Sequence, residues 1–262
     1  MGSLIMRRIV AIANQKGGVG KTTTSINLAA ALAHIRQRVL LLDCDPQANA
    51  SSGLGVRPPA SAPSMYQVLL NGAEAPPIVQ PFPQLPLHLL PANSQLAAAE
   101  WELPGRGNPE GLLAARLAAL AAAYDYLIID CPPSLGLLTV NALVAATEVV
   151  IPIQCEYFAM EGLSLLLETV RRIKLRWNPN LQIGGILLTM FDRRNNLAHQ
   201  VANDIRRHFP GQVFHTLIPR NVRLGESPSH GLPIHLYDPG CPGAEAYLAL
   251  AGEFHHREDS DG

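Results

Sequence analysis

The segment Asn14-Gln15-Lys16-Gly17-Gly18-Val19-Gly20-Lys21-Thr22-Thr23 most constrains what this chain can become. It follows a short apolar run, RIVAIA from Arg8 to Ala13, and opens a helical pattern that runs from Thr22 to Ala33. A glycine-rich turn between a buried strand and a helix is the setting of a phosphate-binding loop. Glycines let the backbone amides turn toward a phosphate chain, and the helix N-terminus adds partial positive charge. In such a loop Lys21 reaches the β and γ oxygens, and the Thr22 hydroxyl ligates Mg2+. Gly17, Gly18, Val19, Gly20 and Thr23 supply the surrounding backbone. The strict GxxxxGK[ST] spacing fails, however. Gln15 holds the first glycine position, and an extra lysine, Lys16, precedes the glycine pair.

Beyond the loop, continuous apolar runs alternate with helical patterns. Strands are predicted at Arg38 to Asp43, Leu87 to Leu90, Tyr126 to Asp130, Glu148 to Ile153, Gln182 to Thr189 and Val213 to Ile218. Helices are predicted at Pro109 to Ala123, Met160 to Arg176, Asn196 to His208 and Ala244 to His255. Strands that are apolar throughout and separated by helices imply a sheet covered on both faces. The expected fold is therefore α/β: one domain, a mostly parallel twisted sheet and helices on both sides. The proline-rich stretch from Val56 to Pro91 disfavours long helices, with a short one expected at Ser64 to Leu70. It reads as a surface excursion, because 55 residues before it supply little core. Residues 8–254 are assigned to the domain. Residues 1–7 read as an N-terminal extension or expression remnant, and 255–262 as an acidic flexible tail.

Two further strands end in carboxylates. RVLLLD runs into Asp43-Cys44-Asp45-Pro46-Gln47, and YLIID runs into Asp130-Cys131-Pro132-Pro133. In an open α/β sheet, the carboxyl ends of the strands face the ligand crevice. The second pattern looks like a magnesium-binding strand end, with Asp130 holding the ion through a water.

The loop KGGVGKT is a deviant Walker A motif, and it resembles the ParA/MinD branch of P-loop ATPases. The stretches VLLLDCDPQANASSGLG, CEYFAMEGLSLLL, LLTMFDRRNNLAHQV and IPRNVRLGESPSHGLPIHLYDPGCPGAEAYL are similar to Soj-type chromosomal ParA proteins. The resemblance extends from Ile9 to about Ala251. Ala48 and Gly225 depart from it, standing where the family usually has Gly and Ser. It implies a single-domain P-loop NTPase fold that hydrolyses ATP with Mg2+. It implies that Lys16 is the signature lysine that touches phosphates on the other subunit, stabilising transition-state charge as an arginine finger does. Lys16, Lys21 and Asp45 are then the catalytic set, with Asp45 orienting the attacking water. Asp43 organises the surroundings of the magnesium and the loop. Pro219 and Asn221 approach the adenine, and Arg194 and Arg223 bind DNA phosphates, with Arg193 and Arg220 as weaker candidates. The implied cycle is an ATP-driven sandwich homodimer on non-specific double-stranded DNA. Its slow hydrolysis is stimulated by a ParB-type partner, and its location is cytoplasmic and nucleoid-associated.

Charge distribution points the same way. From Arg171 to Arg223 there are ten Lys/Arg and two acids, whereas the rest of the chain has ten and nineteen. Such asymmetry favours a basic face on an acidic protein. Other classes fit less well. No apolar window approaches the roughly 18 residues of a membrane span, and the opening MGSLIMRR lacks the apolar core of a signal peptide. A MinD-like membrane-cycling ATPase, the alternative reading, needs a basic amphipathic C-terminal helix, but the chain ends EFHHREDSDG. Cys44, Cys131, Cys155 and Cys241 form no CxxC, which argues for reduced thiols and against zinc or an iron–sulfur cluster.

Overall fold

A computed structural model of the protein describes residues 7–72 and 76–257. The expected extension at 1–7 (apart from Arg7) and most of the expected tail fall outside these residues. Seven strands form one sheet: β1 Arg8–Ile12, β2 Val39–Asp43, β3 Leu87–Leu90, β4 Tyr126–Asp130, β5 Glu148–Gln154, β6 Gln182–Phe191 and β7 Val213–Pro219. Their order is β3-β2-β4-β1-β5-β6-β7, and every pairing is parallel. A lone antiparallel bridge, Val79 to Leu89, folds the proline-rich excursion back onto β3. That excursion also contributes to the core, because its own Phe82 and Leu85 are buried.

Eleven α-helices lie within the described residues, the last three of them after β7: α1 Lys21–His34, α2 Asn49–Gly53, α3 Met65–Asn71, α4 Leu96–Glu102, α5 Leu112–Leu120, α6 Leu137–Ala145, α7 Ala159–Arg176, α8 Asn196–His208, α9 Val222–Glu226, α10 Ile234–Tyr237 and α11 Pro242–His256. The excursion's short helix, α3, starts at a capping box. The Ser64 side chain accepts from the Tyr66 amide, and the Gln67 side chain accepts from the Ser64 amide. The last helix runs through His256. The His255 imidazole lies 2.7 Å from the Tyr126 hydroxyl, and this contact ties the last turn to the sheet.

Alternation along the strands divides the apolar interior into two layers. Leu40 and Leu42 of β2 and Leu127 and Ile129 of β4 face one layer, which holds α3 to α8. Val39, Leu41, Tyr126 and Ile128 face the other, which holds α1, α2, α9, α10 and α11. A period of two along each strand and helices on both sides account for the all-apolar reading of these strands.

Candidate active site

Parallel strands present their carboxyl ends together. Ile12 of β1 and Asp43 of β2 both register with Asp130 of β4. The loops that follow these three strands therefore share one edge of the sheet, and the sequence places its three motifs in those loops.

The phosphate loop leaves β1 through Asn14, which is buried. The Asn14 side-chain amide donates to the Pro152 carbonyl of β5 at 2.8 Å, and its oxygen accepts from the Lys16 amide at 2.9 Å. From the far side, the Thr189 hydroxyl of β6 donates to the Val19 carbonyl at 2.8 Å. Two neighbouring strands thus fix the loop. Gly18 and Gly20 have φ of 75° and 89°, the left-handed region in which a Cβ is strained. No atom lies within 4 Å of where a Gly18 Cβ would stand, leaving an open cradle in front of the backbone.

The two lysines differ sharply. Lys21 is buried, 6% exposed, and its ammonium donates to the Lys16 carbonyl at 2.8 Å. Burial lowers its pKa, while the nearby Asp130, Cys131 and Asp45 act in the opposite sense. The Lys16 side chain is 44% exposed at the lip of the loop and forms an ion pair with Glu156.

Asp130 is fully buried and receives the Thr22 hydroxyl at 2.9 Å and the Ser25 hydroxyl at 2.7 Å. Burial, and then the charge of neighbouring Asp43, push its pKa up to about 8. Asp43 is also fully buried, and burial raises its pKa to about 6 against hydrogen bonds from Ser51 and the Asp45 amide. The Ser51 amide and hydroxyl donate to Asp43 at 2.8 and 2.7 Å. Asp43 therefore secures α2 and the DPQ turn to the end of β2. Asp45 is 6% exposed, and one of its oxygens accepts from the Gln47 amide at 2.9 Å.

Two adjacent buried carboxylates that resist ionisation suit a divalent cation, which would stabilise their charged forms. The donor set is all oxygen, as Mg2+ prefers, with the Thr22 hydroxyl already against Asp130. No group of three His, Cys, Asp or Glu side chains among the described residues could hold a metal ion. A magnesium ion commonly takes one or two protein contacts and completes its shell with phosphate and water. The residues present fit Mg-ATP.

Beside the loop lies a cleft of about 380 Å3, bounded by Gly20 and Thr23 at one end and by Pro219, Asn221, Val222 and Leu224 along its wall. Its lining is mainly apolar, as ligand clefts usually are. Met190 lines it with φ of 49°, so a non-glycine residue is held left-handed at this point. The Asn221 side-chain oxygen accepts from the Arg223 amide at 2.9 Å and caps α9.

The two candidate DNA residues are less alike. Arg223 follows the cleft wall and pairs with Glu226 at 2.8 Å and Asp238 at 3.3 Å. Arg194 lies in the turn after β6, is 92% exposed and pairs with Asp192 at 3.3 Å. These are exposed ion pairs of small worth, so a phosphate can displace the carboxylates. All four cysteines are free and buried. Burial pushes the Cys131 thiol well above its ordinary range, so it is not a reactive thiolate.

Sequence reasoning missed Asn14, Ser25, Ser51, Thr189 and Glu156. Ser25 had a usable signal, being one helical turn beyond Lys21 on the face that meets the sheet. Thr189 and Glu156 come from other strand ends, and no local pattern links them to the loop.

Residues 7–183 match the family described as an AAA domain. The chain is 54% identical over 248 residues to the sporulation initiation inhibitor protein Soj of Bacillus subtilis (strain 168), covering 95% of this chain and 98% of that one. It is 53% identical over 251 residues to the chromosome partitioning protein ParA of Myxococcus xanthus (strain DK1622), covering 96% and 89%. Among solved structures, cobyrinic acid a,c-diamide synthase from Mycobacterium smegmatis with bound ATP analog and magnesium superposes with a TM-score of 0.84 at 37% identity, over 98% of both chains. A putative plasmid partition protein from Borrelia burgdorferi B31 bound to AMPPNP superposes with a TM-score of 0.80 at 25% identity, over 96% of this chain and 99% of that one. With identities above 50% across nearly the whole chain, and with the loop and the paired carboxylates in their expected order, the chain belongs to the ParA/Soj family of chromosome-partitioning P-loop ATPases.

Proposed function

We propose that this ATPase uses ATP binding to form a sandwich homodimer that holds double-stranded DNA without sequence preference, and that a ParB-type partner releases it by stimulating hydrolysis. The observation that carries this reading is the division of labour between the lysines. Lys21 is buried against its own loop, whereas the Lys16 side chain is 44% exposed at the lip, paired only with Glu156 among the described contacts. A lysine so placed is available to a second subunit's triphosphate. A charge supplied across an interface stabilises phosphoryl-transfer charge and makes ATP a dimerisation ligand at the same time. Binding shifts the equilibrium only by its differential affinity for the dimer.

Within each site, Lys21 neutralises β and γ oxygens, while Thr22 and Asp130 hold the magnesium. The metal, when bound, offsets charge on the β and γ phosphates. Asp45, in the turn just after β2, orients the attacking water. Pro219 and Asn221 seat the base. Arg194 and Arg223 contact DNA phosphates, and contacts of that kind position the protein without reading sequence. Intrinsic turnover is slow because the partner completes the water geometry. The protein then resides on the nucleoid.

Sedimentation with ATP or ADP tests the core of this reading. ATP, and not ADP, is expected to give a dimer, and Lys16→Ala to abolish it. Asp45→Ala is expected to cut hydrolysis by about 100-fold or more, the scale of losing a positioned acid–base group, while DNA retention persists. Faster hydrolysis in Asp45→Ala, or an ATP-independent grip on DNA in the parent, contradicts it.

A further inference from the structure

Lys16 is held at three points within its own chain. Its amide donates to Asn14, its carbonyl accepts from the Lys21 ammonium, and its own ammonium pairs with Glu156. Glu156 is itself fixed in the turn between β5 and α7. Its amide donates to the Gln154 carbonyl at 2.9 Å, and its carbonyl accepts from the Ala159 amide at 3.0 Å. Asn14 bridges the loop to Pro152 of β5, which brings the Lys16 and Glu156 backbones within side-chain reach. The Glu156 oxygen that meets Lys16 is covered from solvent and accepts no hydrogen bond. Its compensation therefore comes from the lysine charge.

We propose that Glu156 is a positioning residue that latches the signature lysine in cis and must release it before the lysine can cross to a neighbouring subunit's phosphates. This rests on the trans-lysine reading above. One ammonium cannot sit on its own Glu156 and reach another chain's triphosphate together, so dimerisation exchanges one pairing for the other. The latch raises the concentration of ATP-bound monomer needed to form the dimer. The pair is partly exposed, 44% and 33% for the two side chains, so its hold is modest. Exposed pairs correspond to about 1.4- to 5-fold in an equilibrium constant. Two protomers unlatch per dimer, which gives about 2- to 30-fold in the dimer dissociation constant.

The test is the monomer–dimer equilibrium of the full chain in Mg-ATP and Mg-ADP, measured by sedimentation for wild type, Glu156→Gln, Glu156→Asp, Lys16→Ala and the double variant Lys16→Ala/Glu156→Gln. Glu156→Gln is expected to tighten the ATP dimer by that 2- to 30-fold and to leave the ATP affinity of the monomer unchanged. Glu156→Asp, whose carboxylate is drawn back by one methylene, is expected to tighten it less. The double variant is expected to match Lys16→Ala, since a latch without its lysine has nothing to hold. A merely structural role for Glu156 would shift monomer stability and ATP affinity instead. If Glu156→Gln leaves the dimer unchanged or weakens it while Lys16→Ala still abolishes dimerisation, the latch is overturned and the trans-lysine reading stands. If Lys16→Ala dimerises normally with ATP, the trans-lysine reading fails and the latch with it.

Discussion

Ala48 holds φ of 53° and ψ of 36° at the start of α2, directly after the DPQ turn. The sequence marked this residue only as a departure from the family's glycine; the backbone supplies the physical reason for that glycine. A Cβ in the left-handed region costs about 1–2 kcal/mol, partly offset because alanine restricts the unfolded chain more than glycine does. Ala48→Gly is therefore expected to stabilise the protein by about 0.5–1 kcal/mol, raising the midpoint of thermal unfolding by about 1–4 °C. Scanning calorimetry of the two proteins checks it, and a lower midpoint in the glycine variant contradicts the strain argument. Residue chemistry was otherwise well written in the chain where motif and element coincide. Lys21, Thr22, Asp43, Asp45 and Asp130 all lie at strand ends or a helix start that apolar patterning already marked. Glu156 and Thr189 did not announce themselves, because their roles come from contacts across more than a hundred residues.

Elements were legible in proportion to how one-sided their burial is. α7 and α8, with one face in the core and the other in water, were placed within a residue of their observed ends. α6 was missed because Leu138, Thr139, Asn141, Ala142, Leu143 and Ala145 are all buried, and a helix buried on most sides has no amphipathic period to read. α10, only four residues long, gave no signal and carries a buried histidine. His235 packs edge-on against His34 of α1 with ring centroids 5.3 Å apart, and neither of its ring nitrogens has a hydrogen-bond partner. The Ile234 amide beside it donates to Asn27 of α1 at 2.7 Å. Burial first, and the charge of His34 second, lower the His235 pKa to about 4. Above the ordinary value of 6.5 the ring is neutral in both folded and unfolded chains, so its full contribution is present. As pH falls toward 4 the unfolded chain takes the proton and the folded one does not, and stability drops. By pH 5 the loss is about 2 kcal/mol from this residue. His235→Phe keeps the ring and removes the titration. Urea unfolding at pH 7 and pH 5 is expected to show a smaller acid loss in the variant than in the parent, by about that amount. Equal losses would place the acid sensitivity elsewhere.

At the scale of the whole molecule, the sheet gathers the phosphate loop and the buried carboxylates at the carboxyl ends of β1, β2 and β4, while the apolar cleft lies on the β6 and β7 side. The basic stretch from Arg171 to Arg223 spans part of α7, β6, α8, β7 and the start of α9, so the positive charge sits on the same half of the sheet as the apolar cleft. That arrangement was only partly legible. The strand count and parallel pairing followed from composition and alternation, whereas the strand order, which puts β1 between β4 and β5, is a tertiary fact that no local pattern encodes. The charge distribution makes a measurable demand on DNA binding. Each neutralised phosphate steepens the dependence of log K on log salt by about 0.9. The proposed DNA-bound dimer presents every arginine twice, so on that reading Arg194→Ala and Arg223→Ala are each expected to reduce the slope by about two, with affinity falling alike on unrelated sequences. Arg223 adjoins the cleft residues Asn221, Val222 and Leu224, so ATP affinity must be measured beside it. An Arg223 variant that loses ATP binding with an unchanged salt slope belongs to the nucleotide site. One that keeps ATP and loses slope belongs to the DNA face, as Arg194, 92% exposed and outside the cleft lining, is expected to do.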